Sequence, residues 1–173
     1  MKGKVRGVCA FDLDDTLTCG DAAGAIARCK QAGYGIAVNT ARPSAWLEER
    51  LQGIGLPPLD SPAFAFNPRS YSQSPSERAN FKGATMHRLA QHFKTRNVIL
   101  FDDLPENVEA AIREGYRGKV VSQPGQPCGI SVDIIDQVLE DGGVSCDAPK
   151  SQRHDMNSNQ TRYFTNTQSR SGK

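Results

Sequence analysis

The sequence predicts an α/β fold built on a central, mainly parallel sheet with helices on both faces. Three observations carry that expectation. Residues 5–11 form a short apolar run ending in Asp12-Leu13-Asp14-Asp15. Residues 35–40 form a second such run after one helix-length segment, and strand, helix, strand in that order makes a right-handed crossover and a parallel pair. Residues 97–101 form a third run that again ends in paired carboxylates, Asp102-Asp103. Short apolar runs bounded by polar residues read as buried strands. In open parallel sheets the functional loops gather at the carboxyl ends of the strands. Asp12, Thr40 and the Asp102-Asp103 pair all fall at such ends.

The first stretch holds the densest chemistry. Clustered carboxylates repel and raise each other's pKa unless a cation neutralises them. A hard divalent ion such as Mg²⁺, which prefers oxygen ligands, resolves that repulsion. Asp12 and Asp14 alternate along the chain, so at an extended strand end they point to the same side, and Asp15 points away. One carboxylate could attack an electrophile while the other handles a proton. Thr16 is placed to hydrogen-bond the turn. A plain Asp-rich polar turn is the alternative.

The remaining elements follow in order. Asp21 caps a helix over residues 22–32 that Gly33 stops. Residues 44–51 carry helix formers, with Trp46, Leu47 and Leu51 near one face. Residues 56–78 hold five prolines and read as a long loop with a short strand at 63–66. Asn80 caps a helix from Phe81 to about Phe93, with Met86, Leu89 and Ala90 inward. Pro105 opens a helix that ends near Gly115. Residues 119–121 read as a further strand and 131–139 as a last helix. Residues 1–140 therefore form one core domain, and the polar stretch 141–173 reads as a disordered tail.

Composition narrows the function classes. A chain of 173 residues with formal net charge +2 argues neither for nor against nucleic acid. No apolar run is long enough for a transmembrane helix, so no membrane partner is expected. The five cysteines include no CxxC pair, which favours a reduced, cytoplasmic protein over a disulfide scaffold or zinc site. The basic tail leaves RNA binding or docking as a minor reading.

Four chain segments thus converge on one sheet edge, and in them the sequence resembles the haloacid dehalogenase-like (HAD) hydrolase superfamily. The family's first motif, DxDx(T/V) after a buried strand, is matched by Asp12-Leu13-Asp14-Asp15-Thr16. The second, a strand ending in Ser or Thr, is matched by Ile36-Ala37-Val38-Asn39-Thr40. Lys82 matches the third, and the strand ending in Asp102-Asp103 matches the fourth. The resemblance implies a three-layer Rossmann-like fold and a phosphatase. Asp12 would attack phosphorus to form an aspartyl-phosphate, and Asp14 would protonate the leaving oxygen and then activate water. Thr40 would bond the phosphoryl oxygens, and Lys82 would neutralise charge. Mg²⁺ would be held by Asp12, the Asp14 carbonyl and the acidic pair, with Asp103 rather than Asp102 as the direct ligand.

Arg42 is read as a surface residue pairing with Glu48 or Glu49, with substrate phosphate as the alternative, and Asn107 as a group that orients metal-bound water. His87 and His92 are given no catalytic or metal role. Neither of the family's usual insertion points has room for a large cap domain, so a capless protein is expected. An open site suits a phosphoprotein or a nucleic-acid end; alternatively residues 56–78 make a lid whose Arg69 and Arg78 meet a compact anionic substrate. A non-catalytic phosphate- or partner-binding module is the competing class.

Overall fold

Four parallel strands in the order β2-β1-β3-β4 make the sheet, in a computed structural model that describes residues 4–42, 47–54, 74–122, 125 and 127–141. The strands are β1 Gly7–Phe11, β2 Tyr34–Val38, β3 Val98–Asp102 and β4 Arg117–Val120. The helices are α1 Ala22–Gln31, α2 Leu47–Gly53, α3 Pro75–Phe93, α4 Pro105–Arg113 and α5 Val132–Asp141. β1 lies centrally, with Phe11 in register with Val38 on one side and Phe101 on the other. Every residue of β1, β2 and β3 is buried, as expected of parallel strands covered on both faces.

The pleat divides the core into two layers. Cys9 and Phe11 face α1 and α5 and pack with Ile26, Ile36, Ile99 and Ile135. Val8 and Ala10 face α3 and α4 and pack with Met86, Leu89, Leu100 and Ala111. The Phe11 and Phe101 rings stack across neighbouring strands at 5.1 Å. α3 and α4 approach closely at Gly83, where an added Cβ would sit 3.0 Å from the Ala110 carbonyl oxygen.

Two boundaries differ from expectation. α3 begins at Pro75 rather than Phe81, because Ser74 and Glu77 form a capping box: each side chain bonds the other's backbone N–H. β4 begins at Arg117, two residues before the expected start at Lys119, because pairing with β3 rather than burial defines that edge strand. The expected strand at 63–66, the tail from residue 142 on, and Trp46, Arg69 and Cys146 lie outside the described residues. None of the described helices is long and apolar enough to cross a membrane.

The cysteines also depart from the fully reduced set expected. Cys19 and Cys128 form a disulfide across a sequence separation of 109 residues, while Cys9 and Cys29 are buried and free. Spacing alone could not pair them; the chain does so by returning after β4 to the loop behind β1. There Ile130 N–H donates to the Thr16 carbonyl at 3.1 Å, and Asp21 N–H donates to that of Ile130 at 2.8 Å. Gly129 makes the approach possible: its φ is +88°, and an added Cβ would lie 2.1 Å from the Cys19 carbonyl oxygen. A cross-link closing so long a loop restricts the unfolded chain strongly. Reduction, or Cys128→Ser, is therefore expected to lower unfolding free energy by about 2–4 kcal/mol. Urea titration with and without reductant checks this: the native midpoint should fall to that of the variant, and the variant's should not move.

Candidate active site

The alternation that builds the core also aims the carboxylates. Asp12 continues the Val8-Ala10 side of β1, and Asp102 the Val98-Leu100 side of β3, so both face α3. Lys82 meets them there, one turn from Met86 on the buried face of α3. Its Nζ lies 2.6 Å from Asp12 Oδ1 and also bonds Asp102 Oδ2. All three side chains are nearly excluded from solvent. Asn39 continues the Ala37 side of β2 in the same way. Its Nδ2 donates to the Lys82 carbonyl at 3.0 Å, tying α3 to the end of β2. The sequence reading passed over Asn39; its signal is a lone amide at the end of an apolar strand, beside Thr40.

Asp102 is fully committed. Besides Lys82 it accepts from Asn107 Nδ2 at 2.8 Å and from Leu104 N–H at 3.0 Å. Asp103 is half-buried and lines a cleft of about 360 Å³, together with Asp12, Asp14, Thr40, Lys82 and Asn107. Asn107 thus orients Asp102 directly. Carboxylate oxygens of Asp12, Asp102 and Asp103 lie within 4.8 Å of one another.

Three buried or half-buried carboxylates against one ammonium leave a charge deficit. Burial pushes the Asp12 carboxyl up to about 7, and the neighbouring Asp102 adds to the rise although Lys82 opposes it. Burial also raises Asp103, with Asp102 again contributing. Burial works against the Lys82 charge, but Asp12 and Asp102 outweigh it and hold the ammonium above its ordinary value. Lys82 is therefore firmly charged, and Asp12 carries the shortfall. The donor set fits a hard divalent cation: all oxygen, clustered and short of positive charge.

A sharp turn follows Asp12. Asp14 is extended and Asp15 left-handed with φ 53°, so the chain reverses at once. Thr18 rather than Thr16 secures the turn, its Oγ1 accepting from Asp15 N–H at 2.9 Å. Thr16 Oγ1 is buried without a partner among the described residues. Asp15 does not point away as expected; it reaches the same cleft. Arg42 is more than a surface residue: it lines the cleft, and its Nε bonds Asp14 Oδ2. The side chains of Glu48 and Glu49, its expected partners, lie outside the described residues. The Arg42 N–H donates to Thr40 Oγ1 at 3.2 Å, leaving the buried Thr40 hydroxyl proton free to point elsewhere. His87 lies apart, between Glu114 Oε2 at 2.7 Å and the Tyr116 hydroxyl at 2.8 Å.

Comparison with known proteins adds the fold. No protein-family model matches the sequence, and no curated protein matches it. Among solved structures, the chain is similar to the core domain of a candidate phosphoglycolate phosphatase from Streptococcus pneumoniae TIGR4. The TM-score is 0.53 at 16% identity, over 80% of this chain and 98% of that one. It is also similar to an uncharacterized protein from Corynebacterium glutamicum, with TM-score 0.50 at 17% identity, over 84% of this chain and 100% of that one. At such identities the likeness speaks for fold alone. Together with the four-stranded parallel sheet and its two helical layers, it gives the chain a three-layer Rossmann-like α/β fold.

Proposed function

We propose that the chain is a Mg²⁺-dependent phosphatase that hydrolyses a phosphomonoester through an aspartyl-phosphate on Asp12. The observation that carries this reading is the placement of the Asp12 carboxylate at a cleft floor, against buried Lys82, with Asp14 on the same cleft. Asp12 attacks phosphorus, the P–O bond to the leaving group breaks, and Asp14 gives that oxygen a proton. Asp14 then takes a proton from water as the water oxygen attacks phosphorus and frees the Asp12 carboxylate. Thr40 Oγ donates to a phosphoryl oxygen, and Lys82 offsets charge on nucleophile and phosphate. Asp12, Asp103 and the Asp14 carbonyl would hold Mg²⁺, which supplies charge neutralisation and orientation to the transferring group. Asp102 keeps Lys82 and Asn107 in place.

The first connection supports an open, capless site. Only residues 12–21 separate β1 from α1, and the tight turn and the α1 cap occupy them. Such a site could admit a phosphoprotein or a nucleic-acid end as well as a small ester. Beryllofluoride tests the centre without turnover, since it adds to a reactive carboxylate beside a divalent cation. A bound ¹⁹F resonance that requires both Mg²⁺ and Asp12 is the expected result. A native chain that gives none would instead support a non-catalytic phosphate-binding module.

A further inference from the structure

Charge on the cleft wall is divided by depth. Lys82 sits at the floor, where Asp12 and Asp102 use its charge. Two arginines line the same cleft. Arg42 comes from the loop after β2, and its side chain is 28% exposed. Arg78 comes from the first turns of α3 and is half-buried. It precedes Lys82 by four residues, so the two share one helix face, separated by roughly 6 Å along the axis. The strands deliver Asp12 to the floor, so that step along α3 runs outward, towards the leaving-group side of a bound ester.

Lys82 meets the transferring phosphoryl group at the floor, and the two arginines add positive charge elsewhere on the cleft lining. Surface arginines ordinarily extend into water, whereas both of these belong to the lining of a concave site. Arg42 already engages a carboxylate there, that of Asp14, so its fork is presented in a pose that suits an oxyanion.

We propose that Arg42 and Arg78 form a second anion subsite, and that the preferred substrates are phosphomonoesters whose leaving group carries a carboxylate or a second phosphate. This rests on the phosphatase reading for the word substrate, but the subsite stands or falls by itself. A ligand's second anion takes the place on Arg42 that Asp14 holds in the free protein, so the guanidinium exchanges one carboxylate partner for another. The selectivity lies with Arg42 and Arg78 together, and therefore needs both.

Calorimetric titration of the full chain with Mg²⁺ tests it, using three non-hydrolysable probes that share one two-carbon skeleton. Ethylphosphonate has a single anionic group, 3-phosphonopropanoate adds a carboxylate, and ethane-1,2-bisphosphonate adds a second phosphonate. At least one doubly anionic probe should bind about tenfold or more tighter than ethylphosphonate. Arg42→Gln and Arg78→Gln should each erase most of that gain while leaving ethylphosphonate affinity nearly unchanged, and Arg42→Lys should restore part of it. Which doubly anionic probe gains more identifies the second group. Equal affinities for all three probes, no binding by any, or a uniform loss across probes in both glutamine variants would overturn the proposal. None of the probes turns over, so a failed hydrolysis assay refutes the phosphatase reading without touching this result, and the reverse also holds.

Discussion

Asp12→Asn is expected to abolish Mg²⁺-dependent hydrolysis of an aryl phosphate, with kcat falling by roughly a thousandfold or more, as removal of a nucleophile generally does. The fold should survive. Asparagine is nearly isosteric, the Asp12 N–H bond to the Phe101 carbonyl at 2.8 Å is main-chain, and Lys82 keeps Asp102 as its partner. Stability should even improve in the absence of metal. A carboxyl raised to about 7 in the folded chain and ordinary in the unfolded one binds more protons when folded. Stability therefore falls as pH rises between about 4 and 7. In EDTA the native chain should lose stability across that window, and Asp12→Asn should lose much less. Urea midpoints measured at pH 5 and pH 8 for both proteins check this. An equal decline in the two would show that the charge deficit sits elsewhere. Hydrolysis that persists in the variant would remove Asp12 from the chemistry. A site carboxylate held at an energetic cost in the resting fold would be an exchange of stability for activity.

How much of this was legible beforehand follows from where the information sits. The strands could be read because parallel strands buried on both faces are continuous apolar runs, and β1, β2 and β3 are just that. The same alternation that places Val8 and Ala10 against α3 carries Asp12 to Lys82, and that of β3 carries Asp102 there, so two site contacts follow from counting residues. α3 was read six residues short because five prolines suggested loop and hid the Ser74-Pro75-Ser76-Glu77 cap, itself a legible helix start. The long-range contacts were not legible. Local spacing offers Arg42 only Glu48 and Glu49, whereas the pairing of β1 with β2 is what brings Asp14 to its guanidinium. The Cys19–Cys128 pair was missed for the same reason, since only the chain's return at Ile130 brings those residues together. Asn39 was overlooked because an amide gives no motif signal until the helix it ties is placed.

Lys82→Met should be the most damaging single change to stability. Lys82 is 2% exposed, and it is the cation that Asp12 and Asp102 share. Methionine matches its stem in length and packs well in a core, so a loss cannot be assigned to a cavity. What the change leaves is two buried carboxylates without their counter-charge. Breaking a buried ion pair from one side typically costs about 3–5 kcal/mol. Part of that cost can be relieved by protonating Asp12, so the deficit should be smaller at pH 5 than at pH 8. Restoring neutrality offers a sharper check. The double variant Lys82→Met with Asp102→Asn removes one of the stranded charges and should regain part of the loss, making the pair non-additive. Millimolar Mg²⁺ should raise the midpoint of Lys82→Met more than that of the native chain, because a divalent ion can supply the missing positive charge to the same oxygens. Urea titrations of the four proteins, with and without Mg²⁺, measure all of these effects. A Lys82→Met variant within about 1 kcal/mol of the native chain at pH 8 would mean that the ammonium does not compensate the carboxylates. Strictly additive losses in the double variant would mean that Lys82 and Asp102 act independently. Activity should fall in Lys82→Met even where Mg²⁺ restores the fold, since the ion would offset the carboxylates without replacing the ammonium hydrogen bond to Asp12.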